Sequence, residues 1–377
     1  NPQIPLARPW FGREEAEAVA EVLDSGWVVQ GAKVRAFEEQ VAALHELPEG
    51  VAVSSATAGL HLTMLALGIG PGDVVLTPSF AWPAAAHVAA RSGAGVWFTD
   101  VDPVTANLTP VHAEAAFQAA LQATGRRPRA LVIVHEFGLP APAADLAAWA
   151  REREVTVIED AACALGARHR GRPVGHFGVA AVFSFHPRKS ITTGEGGVVV
   201  TADRALADRL RELRNHGQAA DGRREFVVAG LNYRLTEIQA AIGLVQLRRF
   251  PEIQEIRRRL AETYRGALAD LPEIQLPPGD PEHTWQTFMV VFRDARVRAA
   301  VEAACHAAGI GAGPAAVAAH RAPEWNGRFL SPADHCPTAS RLADCGLALP
   351  LHPQLRAEEL DRVVQRIRTA LSRPSLP

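Results

Sequence analysis

"FSFHPRKSITTGEGG", Phe183–Gly197, begins like the end of a buried strand, crosses a Pro-Arg-Lys cluster and closes on a glycine-rich turn. Lys189 stands at its centre. Lys33 is the only other lysine in the chain, and arginine supplies nearly all the positive charge. A guanidinium is always charged, whereas an ammonium can lose its proton and become a nucleophile. An amine kept where arginine is otherwise preferred therefore reads as chemistry. The bland alternative is a solvated surface lysine.

Working outward, short apolar runs at Asp73–Thr77, Gly95–Phe98, Ala130–Val134, Val155–Ile158 and Ala181–Phe185 read as buried strands. Longer helical patterns separate several of them, such as Pro142–Glu154. This alternation predicts an α/β fold: a mostly parallel central sheet with helices on both faces. Thr236–Leu268 is helical with an apolar stripe, and the pattern predicts a break near Pro251. The expected division is a large α/β domain over 1–250, including the N-terminal segment, and a smaller α+β domain over 251–377. In the latter, Thr287–Phe292 reads as a strand and Ala357–Leu371 as the last helix. Arg321–Ser340 reads as a long loop positioned to cover a site.

Composition narrows the function. With 377 residues and a formal net charge of −2, without a long run of one sign, the chain does not look like a nucleic-acid binder. It has no apolar stretch of the ~18 residues that a membrane span needs, and the opening "NPQIPLARPW" has no signal-peptide core. Cys163, Cys305, Cys336 and Cys345 form no C-x-x-C pair and read as reduced thiols of a cytoplasmic protein. No motif suggests a metal site.

Four features bear on chemistry. "SSATAGLHLTMLAL" (Ser54–Leu67) puts small hydroxyl residues before a helix, whose start favours a phosphate or is simply capped. "VIEDAACALGA" (Val157–Ala167) ends a buried strand with two acids, where ligands bind in open α/β sheets. Asp160 there either pairs with a cationic ring nitrogen or caps the next helix. Trp82, in "PSFAWPAAAHVAA", is a flat-ring platform or a packing aromatic. Lys189 is the fourth. Together they are the parts of a pyridoxal 5′-phosphate (PLP) site: phosphate cradle, pyridinium partner, aromatic face and aldehyde-reacting amine. Asp160 would keep the ring nitrogen charged.

At this point the chain resembles the DegT/DnrJ/EryC1/StrS sugar aminotransferases, within the fold-type I PLP enzymes. "IPLARPWFGREEAEAVAEVLDSGWVVQGAKVRAFEEQVA", "SSATAGLHL", "LALGIGPGDVVLTPSFAW", "FTDVDPVTANL", "VHEFGLPA", "IEDAACALGA", "FSFHPRKSITTGEGG" and "NYRLTEIQAAIGLVQL" follow in family order over nearly the whole chain. The resemblance implies that Lys189 bonds the cofactor and shuttles protons, and that Asp160 partners the pyridine nitrogen. It implies that Trp82 stacks on the ring, and that the Ala56 and Thr57 amides and the Ser184 hydroxyl hold the phosphate. Asn232 is expected to reach the phosphate of a neighbouring subunit, which implies a homodimer with shared sites. The expected partners are an amino donor, L-glutamate, and a nucleotide-linked keto sugar; no nucleic acid or membrane is expected. "FSFHPRKSITTGEGG" most resembles members that form 4-amino-4,6-dideoxy sugars, the perosamine synthases.

The chain departs from the family pattern in places. Cys163, near the cofactor's phenolic oxygen, stands where Gln or His is frequent, and Ala56 replaces the usual Gly. "GPAAVAAHRAP" (Gly313–Pro323) keeps His320, a candidate substrate contact, but has Ala316 and Ala318 in place of Tyr and Pro. Two alternatives follow: a PLP enzyme acting on a non-sugar ketone, and a PLP-binding regulatory protein without turnover.

Overall fold

The computed structural model describes residues 3–322 and 329–372. Seven strands form the central sheet: β1 (Glu49–Val53), β2 (Val74–Pro78), β3 (Gly95–Thr99), β4 (Ala130–Val134), β5 (Thr156–Asp160), β6 (Ala180–Ser184) and β7 (Gly197–Thr201). Their spatial order is β1-β7-β6-β5-β4-β2-β3. All neighbours pair in parallel except β7, which runs antiparallel to both β6 and β1. The five runs expected as strands all form, with ends shifted by a residue or two; β1 and β7 join them.

Side-chain alternation along each strand splits the core. Val75, Val132, Ile158, Val182 and Val199 face one way, onto the helices Ala56–Ala66, Ala84–Arg91 and Arg204–Arg214. Leu76, Leu131, Ile133 and Val157 face the other way, onto Pro110–Thr124 and Ala143–Glu152. Strands buried on both faces read as unbroken apolar runs, which is why the sequence exposed them.

The expected break at Pro251 does not occur: one helix runs Glu237–Leu268 with Pro251 inside it. A mid-helix proline costs about 3 kcal/mol. Burial on both sides of it offsets that cost: Phe250 and Ile253 pack in the first body's core, Ala261, Tyr264 and Leu268 in a second. Thr236 caps this helix, its hydroxyl accepting from the Gln239 N–H at 3.3 Å.

The second core gathers Phe288–Phe292, Gly346–Leu349 and the helices Ala295–Ala307 and Ala357–Leu371. Ile4 joins it, the Ile4 N–H donating to Gly309 O at 3.0 Å. The expected loop Arg321–Ser340 is shorter at its end, because a helix starts at Pro337. Proline suits the first helical turn, where its missing N–H costs nothing, so it gave the appearance of a loop. Residues 323–328 of that loop lie outside the described residues. Among the described residues no helix is long and apolar enough to cross a membrane.

Candidate active site

The parallel strands β4, β5 and β6 end together, with Asp160 in register with Val134 on one side and Val182 on the other. Asp160 is 7% exposed. Burial raises its pKa, against a hydrogen bond from the Ala162 N–H (3.1 Å) and the charges of Lys189 and His135. Its neighbour Glu159 points to the opposite face and is fully buried. There it is bonded by His135 Nε2 and by the N–H groups of Gly175, Phe177 and Gly178. Burial opposes its ionisation, but these bonds outweigh burial and hold its pKa below the usual carboxylate range.

Lys189 lies on the loop joining β6 to β7. That loop is pinned by Phe185 N–H to Gly196 O (2.9 Å), Thr193 N–H to Phe185 O (3.0 Å) and Lys189 N–H to His186 O (2.9 Å). Gly194 has φ 86°, a turn that favours glycine. Lys189 Nζ donates to Cys163 Sγ at 3.0 Å. Burial works against the ammonium, but the Cys163 sulfur, Asp160 and Glu136 outweigh it and raise the Lys189 pKa. Burial pushes the Cys163 thiol up as well, against the pull of Lys189. Cys163 is therefore a thiol acceptor for the ammonium.

Ala56 and Thr57 open the helix Ala56–Ala66, which is capped by Ser55 through its bond from the Ala58 N–H (3.1 Å). The first amides of a helix have no intrahelical partner and face a ligand. Gly197, opposite Ser184 in the ladder, comes so close that a Cβ on it would stand 2.6 Å from Ala56 N. Ser184, Gly197 and the helix start thus converge beside the Lys189 loop.

The other expected residues stand differently. Trp82 is 69% exposed, just past the short strand Phe80–Ala81. Asn232 is exposed, and the adjacent Tyr233 carbonyl accepts from Ser54 N–H of the same chain at 2.9 Å. It does not cap the following helix, which Thr236 does. His320 is bonded to Ser79 Oγ and, through Nε2, to Ser340 Oγ at 3.2 Å. Its segment is held by Val317–Ala318 pairing with Phe80–Ala81. Sequence reasoning passed over Glu136, a buried acid two residues past the end of β4. The signal was present: an acid following a run as apolar as "ALVIV".

The arrangement can bind an anion at the helix start, pair a cation with Asp160 and present an amine. This fits PLP part by part. A model of the DegT/DnrJ/EryC1/StrS aminotransferase family matches residues 10–368. Among solved structures, the aminotransferase TlmJ from Streptoalloteichus hindustanus is 34% identical, with 98% of this chain and 99% of that chain covered and a TM-score of 0.90. DesV from S. venezuelae is 35% identical, with 96% and 95% covered and a TM-score of 0.87. Spr1654 from Streptococcus pneumoniae, solved in PLP and PMP forms, shares the fold at 24% identity, with 97% and 98% covered and a TM-score of 0.89 for the PLP form. The expected fold-type I architecture and the expected cofactor both stand, and the chain belongs to the DegT/DnrJ/EryC1/StrS family as a PLP-dependent aminotransferase.

Proposed function

We propose that this enzyme moves the amino group of L-glutamate to the carbonyl of a nucleotide-linked keto sugar, of the 4-keto-6-deoxy kind. Glutamate leaves as 2-oxoglutarate and the sugar gains the amine, within amino-sugar, polysaccharide or secondary-metabolite biosynthesis. The convergence of Lys189 and Asp160 beyond the ends of β5 and β6 carries this reading. Bound PLP supplies an aldehyde for the amine and a ring that takes up the electron pair left when a C–H bond breaks.

The chain's own residues do the rest. The Ala56 and Thr57 amides and the Ser184 hydroxyl bind the phosphate, and Asp160 keeps the ring nitrogen protonated. Trp82 would cover the ring face, and Cys163 would lie on the side of the phenolic oxygen. Lys189 Nζ takes the Cα proton of the amino donor and delivers a proton to the acceptor carbon. The exposed Trp27, Val29 and Phe226 suit an interface with a second copy, across which Asn232 would complete the phosphate shell. The division of the chain near residue 250 belongs to the same proposal, as does a cytoplasmic setting.

The test incubates the PLP-loaded protein with L-glutamate and a panel of nucleotide-linked keto sugars, following 2-oxoglutarate and the amino sugar. Turnover of a 4-keto-6-deoxy sugar supports the reading; inertness toward every sugar overturns it. A second reading, a non-sugar ketone, is favoured by Ala316 and Ala318. They are small, buried residues where the family more often carries Tyr and Pro. Non-sugar ketones in the same panel decide between the two.

A further inference from the structure

Gln286 lies where the second core meets the loop that carries Lys189. It stands just before the strand Phe288–Phe292, between Trp285 and Phe288, which both belong to that core. Its backbone is fixed from two sides. The buried Arg257 guanidinium donates through Nη1 to the carbonyls of Trp285 (3.1 Å), Gln286 (3.2 Å) and Leu351 (3.1 Å). Gln286 N–H donates to Phe137 O at 2.9 Å, which ties the segment to the turn after β4. Trp285 sits in the left-handed region at φ 51°. A non-glycine residue holds that conformation only where its surroundings enforce it.

The Gln286 side chain is 9% exposed, and its amide is engaged at both ends. Nε2 donates to the Arg188 carbonyl at 2.8 Å, and Oε1 accepts from Thr287 Oγ1 at 3.0 Å. The reversed amide would set two acceptors against each other at Arg188, so its partners dictate the orientation. Arg188 C=O and Lys189 N–H belong to one planar peptide unit. Lys189 N–H donates to His186 O at 2.9 Å, a bond within the loop. Both edges of the plane from which the lysine springs are thus pinned, one by the loop and one by the second core. The other bonds that shape the loop, Phe185 N–H to Gly196 O and Gln239 Nε2 to Glu195 O (2.7 Å), lie at its base. Beside the Gln286 bond the two regions stand apart across a cleft of about 250 Å³, lined by Leu6, Ala7, Arg188, Thr287 and Leu351. Close packing does not substitute for the bond there. Turning the plane would swing the direction in which the lysine leaves the backbone, and its four-carbon stem carries that error to Nζ. A misplacement of about 1 Å can cost about 100-fold in rate.

We propose that Gln286 is a positioning residue for Lys189: by holding the Arg188–Lys189 peptide plane from the second core, it sets the direction in which the amine enters the site. The inference rests on Lys189 being the reactive lysine. Lys189 Nζ then reaches Cys163 Sγ, and the site beyond Asp160, from a fixed origin.

The chain's two lysines make this directly measurable. PLP-loaded protein labelled with ¹⁵N at the lysine backbone gives two amide signals. One is Lys189, bonded to His186 O; the other is Lys33, bonded to Glu237 Oε2 at 2.9 Å. Gln286→Leu keeps the bulk and removes the donor. In it the Lys189 amide should exchange with solvent about tenfold faster, with Lys33 unchanged. In the same variant kcat should fall by about 10- to 100-fold, with the KM for the amino donor changed less than about threefold. Equal Lys189 exchange in wild type and Gln286→Leu overturns the proposal, and so does a kcat that stays at the wild-type value. Both amides quickened alike would make Gln286 a merely structural residue and overturn it too. Should Gln286→Leu not fold, Gln286→Asn decides, because its amide is one methylene too short to reach Arg188 O: unchanged Lys189 exchange there overturns the proposal. Failure of the Lys189 assignment shows separately. Borohydride reduction of the loaded protein would then attach the cofactor to Lys33 or to no lysine.

Discussion

Glu159 and Asp160 are consecutive carboxylates at the end of one strand, yet they belong to different regions of the molecule. Glu159 closes a knot complete within the chain: His135 and three amides satisfy it, and its pKa falls. Asp160 faces a region the chain leaves incomplete, and its pKa rises. On the same side lie the helix-start amides at Ala56 and Thr57 and Lys189, whose Nζ donates to the Cys163 thiol. Buried polar groups are ordinarily satisfied, so the exceptions mark where something else must bind. The acid with every bond made reads as architecture, and the acid with bonds to spare is the candidate for chemistry.

The comparison can be broken or sharpened by substitution. The largest effect is expected at Lys189. Lys189→Ala should abolish turnover while leaving the circular dichroism spectrum and Tm close to wild type, since the lysine adds little to the core. Near-normal transamination by this variant would remove the lysine from the mechanism. Asp160→Asn keeps the shape and removes the charge, and should cost roughly 3–4 kcal/mol in transition-state stabilisation, seen in kcat. Glu159→Gln should do the reverse. It should lower stability by about 2–3 kcal/mol in denaturant unfolding, with kcat of the folded fraction little changed. Its depressed pKa adds stability present above the ordinary carboxylate value and lost as pH falls through the folded value, so the deficit should shrink in acid. If Asp160→Asn lost stability and Glu159→Gln lost kcat, the two roles would have to be exchanged.

Incompleteness on the Asp160 side also has a subunit test. Mixing Asn232→Ala with Lys189→Ala chains should give mixed dimers with one site carrying both lesions and one carrying neither. Activity should recover toward half of wild type per dimer. No recovery despite proven subunit exchange would mean that Asn232 serves its own chain, where Tyr233 already meets Ser54.

The smallest effect concerns Glu136. Its raised pKa favours the fold below the ordinary carboxylate value, and that contribution is lost as pH rises through about 8. Glu136→Gln removes the loss, so it should stabilise the protein by about 2 kcal/mol more at pH 9 than at pH 6. Parallel unfolding curves at both pH values would refute this.

Much of this was legible in the chain itself. Strands β2 to β6 stood out because burial on both faces leaves no polar alternation, and Ala357–Leu371 because its stripe has helical period. Lys189 stood out because lysine is nearly absent elsewhere. Pro251 and Pro337 misled because a proline announces a lost N–H, while whether the loss matters depends on what packs around it. Glu136 passed unnoticed because nothing in "VHEFG" says which side of the turn is buried.

Residue types and their order, by themselves, determined the fold class and the cofactor chemistry and singled out Lys189 as the candidate amine, because periodicity and side-chain chemistry are local properties. Tertiary structure alone decided which of two adjacent acids is satisfied and that Thr236 caps its helix. It also left Glu136 buried in the wall of a cleft, which its place in the sequence does not announce. Hydrogen-bond satisfaction and burial are sums over neighbours distant in the chain, and they exist only once the strands have been set side by side.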